Sequence, residues 1–168
     1  MRIIILADTH MPRMAKVWPS ALLPDLQQAD HIIHAGDFQD RRVLDSLSSF
    51  APVSAVSGNI DSSDLIEELP KKQLLTFHGL KVGLTHGDGK GKTTEQRARA
   101  GFEGEAIDLL IFGHSHIPVH KEEDGLVFFN PGSPTDKRRQ EKFSYGELIV
   151  NEDGTWSLRH IYYEDKKG

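Results

Sequence analysis

The sequence has no cysteine, which excludes disulfides, thiolate metal sites and a cysteine nucleophile together. It has no apolar run near the roughly 18 residues that a membrane span requires; Ile3-Ile4-Ile5-Leu6-Ala7 stops far short. No signal-peptide pattern follows Met1-Arg2, and no repeat, low-complexity tract or interdomain linker interrupts the chain. An excess of positive charge is also missing. Against 20 Lys+Arg stand 25 Asp+Glu, a net charge of −5 that suits a protein gripping nucleic acid backbone poorly. These absences lead us to expect a soluble, cytoplasmic chain that folds as one domain over residues 1–168. What the sequence has in plenty is histidine, nine in 168 residues.

Hydrophobic periodicity predicts buried strands over residues 2–7, 31–35 and 53–56, separated by helical patterns at 20–28 and 40–50. The second helical pattern places Val43, Leu44, Leu47 and Phe50 on one face behind an Asp40 N-cap. This β-α-β-α-β order implies parallel strands. Residues 73–78 and 80–85 then read as a hairpin turning at His78-Gly79, followed by a helix over 93–100 and a buried strand at 109–112. The last third carries strands near 118–120, 126–129, 146–150 and 156–162, with turns at Asp124-Gly125 and Asp153-Gly154. Mixed strands with few helices predict an α/β fold of two mixed sheets packed face to face, helices outside. The charged tail, 164–168, is expected to fray.

Each buried strand runs straight into a short polar segment. The first three end in Asp8-Thr9-His10, Gly36-Asp37 and Gly58-Asn59-Ile60-Asp61. The second hairpin strand ends in His86-Gly87-Asp88, and the strand at 109–112 in Gly113-His114-Ser115-His116. Carboxyl ends of strands form the ligand crevice of open α/β sheets. Five strand ends therefore deliver Asp8, His10, Asp37, Asn59, His86, His114 and His116 to one place. Side chains of these types repel one another or stay unsatisfied unless a cation joins them. Two divalent ions that share a carboxylate and hold a hydroxide between them resolve the conflict. Oxygen and imidazole donors without sulfur suit manganese, nickel, iron or zinc better than magnesium or calcium. Manganese or nickel is expected ahead of iron or zinc.

In their order along the chain, Asp8-x-His10, Gly36-Asp37, Gly58-Asn59, His86-Gly87 and Gly113-His114-x-His116 resemble the motifs of the calcineurin-like metallophosphoesterase superfamily. The short length, the Gly-Asn-x-Asp form and Asn130-Pro131-Gly132-Ser133 are similar to its small YfcE-like phosphodiesterase branch. The resemblance implies a four-layer α/β/β/α sandwich. It also implies a dinuclear phosphoesterase, foremost a phosphodiesterase, that hydrolyses a small phosphate ester by attack of a metal-bridging hydroxide. Carried over by position, one ion falls to Asp8, His10, Asp37 and His116, and the other to Asp37, Asn59, His86 and His114. Asp37 is then the bridge, and Asp37, Asn59 and His114 are the implied catalytic residues. Asn59 and Arg13, which lies just past the first ligand pair, are the expected substrate contacts. One position departs from the pattern: many members carry a histidine after the asparagine, where this chain has Ile60, which cannot donate a proton. A retromer-coat subunit resembles this fold yet serves as a protein-binding scaffold marked by loss of ligand histidines. Here all seven positions hold competent donors, which favours the enzyme.

The remaining residues carry plainer expectations. His31, His34, His78, His120 and His160 read as structural. Asp61 orients a neighbour or caps a turn. The segment from Gly87 to Thr93 imitates a phosphate loop, but the first glycine of that pattern would have to stand at His86. It reads as a solvated loop, with attraction of phosphate by Lys90 or Lys92 a secondary reading. Lys137-Arg138-Arg139 reads as a solvated loop face, and the segment from Asn130 to Ser133 as a buttress acting through backbone geometry. No membrane or polymeric nucleic acid partner is expected; homo-oligomers are compatible with everything above.

Overall fold

The computed structural model describes residues 1–167. β1 (Arg2–Leu6) is continuously apolar because both of its faces are covered, and Ile3, Ile4, Ile5 and Leu6 are fully buried. β1 pairs in parallel with β2 (His31–His34), and β2 with β3 (Val53–Ala55). α1 (Leu23–Gln27) and α2 (Arg41–Ser48) are the crossovers between them. On its other side β1 pairs antiparallel with β9 (Phe143–Val150), which pairs with the edge strand β10 (Trp156–Tyr163). The first sheet thus has the order β10-β9-β1-β2-β3. The second is built from β4 (Lys72–Phe77), β5 (Leu80–Thr85), β6 (Leu109–Ile111), β7 (Val119–Glu123) and β8 (Leu126–Asn130), in the order β4-β5-β6-β8-β7. Its centre is parallel and its margins antiparallel.

Strand alternation assigns side chains to layers. Ile3, Ile5 and Ile33 of the first sheet meet Val82, Leu84, Ile111 and Phe129 of the second. Ile4, Leu6 and Ile32 pack outward against Leu26, Val43, Leu44 and Leu47 of α1 and α2. Leu110 and Phe128 do the same against Ala98 of α4 (Thr94–Ala100). The layers are therefore α/β/β/α. Each such aliphatic side chain contributes about 1.5–3 kcal/mol on burial, and the isoleucines of β1 serve two cores from one strand.

The local signals behave as expected at most element ends. Asp40 caps α2 by accepting the Arg42 N–H at 2.9 Å, and Thr93 caps α4 with Gln96 returning the bond. The hairpin turn closes on His78 and Gly79, both at positive φ, which matches strand twist. The first predicted helix contracts to α1, with Pro24 in its first turn. α3 (Ser63–Glu68) has no counterpart in the periodicity, because six residues bury only Leu65. The tail does not simply fray: Lys166 donates to the carbonyls of Met14 and Thr135 at 2.5 and 2.8 Å; Gly168 lies outside the described residues. Among those residues no helix is long and apolar enough to cross a membrane.

Candidate metal centre

All seven residues predicted from the strand ends come together where the carboxyl ends of β1, β2, β3, β5 and β6 meet. Donor atoms of Asp8, His10 and His116 lie within 4.8 Å of one another, as do those of Asp37, His86 and His114. Asn59 joins the second group, its Oδ1 3.1 Å from His86 Nε2. The groups touch through Asp37, whose Oδ2 lies 3.4 Å from His10 Nε2 and 3.1 Å from His86 Nε2. One carboxylate oxygen thus faces an imidazole of each group.

The backbone is forced into this arrangement. Asp8, His10, Asp37, His114 and His116 all hold φ between 45° and 69°, a region that costs a non-glycine residue on the order of 1–3 kcal/mol. Hydrogen bonds fix the unfavourable turns: Asp8 N–H donates to Gly36 O at 3.0 Å and His10 N–H to Asp37 O at 3.1 Å. Gly58 is glycine for space, since a Cβ there would stand 2.0 Å from Asp37 Oδ1. Asp61 resolves in favour of bracing. Its carboxylate accepts the N–H groups of Asp37, Gln39 and Gly58 at 3.1, 2.8 and 2.7 Å, pinning the loop after β2 to the loop after β3.

The imidazoles are oriented by what holds their far nitrogens. His86 Nδ1 donates to Ala35 O at 2.8 Å, and His116 Nδ1 to Asp136 O at 2.5 Å. His10 Nδ1 faces Asp136 Oδ2 at 3.2 Å. In each ring Nε2 is left pointing inward at carboxylates, the arrangement that partners behind metal-ligating histidines produce. Asp8 Oδ1 and Oδ2, His10 Nε2 and His116 Nε2 are buried with no hydrogen-bond partner among the described residues. Such orphaned atoms are costly, and an Asp8 oxygen 3.9 Å from His10 Nε2 and 3.6 Å from His116 Nε2 fits a divalent cation held between them. The donors are carboxylate, imidazole and amide oxygen, which suit a borderline or hard ion.

The electrostatics carry the same conflict. Burial pushes Asp8 up to about 7, against the pull of His86. Burial also disfavours charge on Asp37, but the imidazoles of His10 and His86 beside it outweigh that and hold the carboxyl far below its usual range. His86 is disfavoured as a cation by burial, yet Asp37 and Asp8 raise it to about 9. Burial lowers His114, and it lowers His116 to about 4, assisted there by the nearby Arg138 charge.

Residues beyond the strand ends complete the site. Asp136 serves two rings of the first group and has no signal in the strand-end pattern. The segment from Asn130 to Ser133 braces through side chains as well as backbone: Ser133 Oγ donates to Asp8 O at 2.8 Å, and Asn130 Nδ2 to Gly113 O at 3.0 Å. Arg13 is exposed in a cleft of about 410 Å³ beside His10, lined also by Gln39, Ile60, Asp136 and Arg138. Arg138 is exposed on a loop as expected and also lines this cleft, whereas Lys90 and Lys92 do not. His31, His34 and His160 are structural. His34, fully buried and stacked on Phe38, accepts the Gly36 N–H at 3.1 Å and meets Thr9 Oγ1 at 3.1 Å. His31 pairs with Ser54, and His160 donates to Asn130 O.

Set beside known proteins, residues 1–153 match the family model described as the calcineurin-like phosphoesterase superfamily domain. A probable metallophosphoesterase of Methanothermobacter thermautotrophicus is 38% identical over 139 residues, covering 82% of this chain and 80% of its own. Vps29 of Chaetomium thermophilum superposes with a TM-score of 0.79 at 22% identity, covering 98% of each chain. A structure described as a novel archaeal phosphodiesterase superposes with a TM-score of 0.72 at 24% identity, covering 97% of this chain and all of its own.

Proposed function

The chain belongs to the calcineurin-like phosphoesterase superfamily, and from that premise we propose that it is a dinuclear metal-dependent phosphodiesterase. The observation that carries this reading is two adjoining groups of donor atoms, in the first of which the Asp8 oxygens and the Nε2 atoms of His10 and His116 are left without partners while Nδ1 of each of these rings is held from behind. Asp8, His10, His116 and Asp37 would hold one ion, and Asp37, Asn59, His86 and His114 the other. Manganese or nickel is favoured, and iron or zinc also matches the donors. When bound, such ions polarise a phosphoryl group and supply an activated water for in-line displacement.

The chain's own residues complete the chemistry. With Asn59 Oδ1 turned to His86, its amide NH₂ is free to donate to a phosphoryl oxygen. Burial lowers the His114 imidazole below its ordinary range, which favours the neutral ring that a metal ion requires of its ligand. Arg13 offers a fixed positive charge in the cleft beside His10, where it attracts an anionic substrate. Ile60 gives only its backbone, which donates to Asp37 Oδ1 at 3.0 Å, while the residue is exposed and lines the cleft. No proton reaches the leaving oxygen from that position. Esters that release a stable anion are therefore the favoured substrates, since acid assistance is worth about 10²–10⁴ in rate.

The scaffold reading draws on the likeness to Vps29, but a likeness at 22% identity speaks only for the fold. A scaffold also has no use for four orphaned donors. The deciding experiment is hydrolysis of diesters of graded leaving-group pKa by protein stripped with chelator and then reloaded with manganese or nickel. Turnover lost on stripping, restored on loading and falling steeply as leaving-group pKa rises supports the proposal. Full turnover without metal overturns it.

A further inference from the structure

Two arginines converge on the cleft beside His10 from different loops. Arg13 follows the first ligand pair, and Arg138 follows the braced segment from Ser133 to Asp136. Both are exposed, and the cleft's one carboxylate, Asp136, is turned toward His10 and His116 instead. The loops are fixed with respect to each other. Ser133 Oγ holds Asp8 O, Thr135 Oγ1 holds Thr9 O, and Lys166 Nζ joins Met14 O on the Arg13 side to Thr135 O on the Arg138 side. The third wall is Gln39, whose Oε1 accepts the Arg13 N–H at 3.3 Å and whose amide NH₂ is thereby free for a ligand. The fourth is the exposed face of Ile60. A paired positive charge, an amide donor and an apolar wall in a volume of about 410 Å³ exceed what one phosphoryl group needs.

We propose that this cleft is a second anion subsite, and that the enzyme takes phosphodiesters in which one ester group carries a further phosphate. The scissile phosphoryl lies over the metal centre, the carbon skeleton against Ile60, and the second phosphate between Arg13 and Arg138. The proposal rests on the phosphoesterase reading above for the word substrate, but its binding half is testable alone.

The probes are thymidine 3′,5′-bisphosphate and thymidine 5′-monophosphate, titrated calorimetrically into the manganese-loaded full chain at low salt. The bisphosphate should bind at least about tenfold tighter, the scale of a charge-assisted phosphate contact. Arg138→Ala and Arg13→Ala should each erase most of that advantage, and Lys166→Ala, which frees the loops, should reduce it. Equal affinities for the two ligands overturn the proposal. So do arginine variants that weaken both ligands alike, since the arginines would then serve the metal-bound phosphoryl itself. Hydrolysis of bis(p-nitrophenyl) phosphate by the parent separates the two readings. A surviving bisphosphate preference without turnover sinks the phosphoesterase and leaves the subsite; turnover with equal affinities does the reverse.

Discussion

Two clusters of charged side chains, one on the outer face of the first sheet and one where the strand ends of both sheets meet, differ in one respect. On the outer face, Arg2, Asp25, Tyr145, Glu147 and Arg159 form a closed set. Arg2 reaches Asp25 Oδ1 at 2.7 Å and Glu147 Oε2 at 2.6 Å, Arg159 takes Glu147 Oε1 at 2.7 Å, and Tyr145 donates to Asp25 Oδ2 at 2.6 Å. Every carboxylate oxygen there has a donor. At the strand ends Asp8, His10 and His116 are buried, yet four of their atoms have none among the described residues. A satisfied network is explained by stability alone. An unsatisfied one, held by strained backbone and braced from behind, costs stability and needs a ligand to account for it. The contrast separates a structural charge cluster from a functional one without reference to any relative.

The contrast would break if the strand-end cluster tolerated loss of its central charge. Asp37→Asn removes the carboxylate oxygen shared between His10 and His86. It should lower kcat/KM by about 10²-fold or more, because one charge serves both halves of the site. His116→Ala, which touches only the first group, should cost less. Steady-state kinetics on bis(p-nitrophenyl) phosphate in manganese measures both. A near-normal rate for Asp37→Asn beside a crippled His116→Ala would refute the bridge.

The seven donors and the two-sheet fold were legible in the sequence because each follows a short buried strand, and strand ends meet in space regardless of the loops between them. Asp136 was not legible. It stands three residues beyond Ser133 in a loop, and its importance arises only from Ser133 Oγ and Thr135 Oγ1 tying that loop to the Asp8 and Thr9 carbonyls. Arg138 escaped notice for a related reason: within Lys137-Arg138-Arg139 nothing distinguishes the residue that turns toward His10. The short α3 and the anchored tail share the difficulty. Their placement depends on long-range contacts, Leu65 burial for α3 and the Lys166 ammonium for the tail among them, and local periodicity has no access to these.

A smaller effect sharpens the comparison from behind the site. Asp136→Asn keeps the backbone carbonyl that holds His116 but removes the negative charge facing His10 Nδ1. Manganese affinity should fall by about 10–100-fold, the usual consequence of losing a partner behind a metal ligand. Isothermal titration of the chelator-treated protein reads this directly. An unaltered affinity would mean that His10 is oriented by packing alone, for instance by its edge contact with His116 at 4.8 Å.

The smallest effect belongs to the closed cluster, and it should appear in stability rather than in turnover. Glu147→Gln removes the negative charge that Arg2 and Arg159 share, while Arg2 keeps its pair with Asp25. It should cost about 1.5–3 kcal/mol at neutral pH, as for a hydrogen bond to a charged group, while kcat is unchanged. The cost should depend on pH with a defined sign. Burial alone would raise the Glu147 carboxyl, but Arg159 and Arg2 hold it below its ordinary 4.5. A group depressed in the folded state contributes stability that is full above the unfolded value and vanishes as pH falls through the folded one. The gap between parent and Glu147→Gln should thus be full above the ordinary carboxylate range and close progressively as pH falls below that range and through the depressed value of the folded parent. Urea unfolding midpoints for the two proteins across that range provide the measurement. A gap that stays constant into strong acid would place the effect of the substitution in packing, and the outer cluster would lose its standing as the electrostatically satisfied half of the comparison.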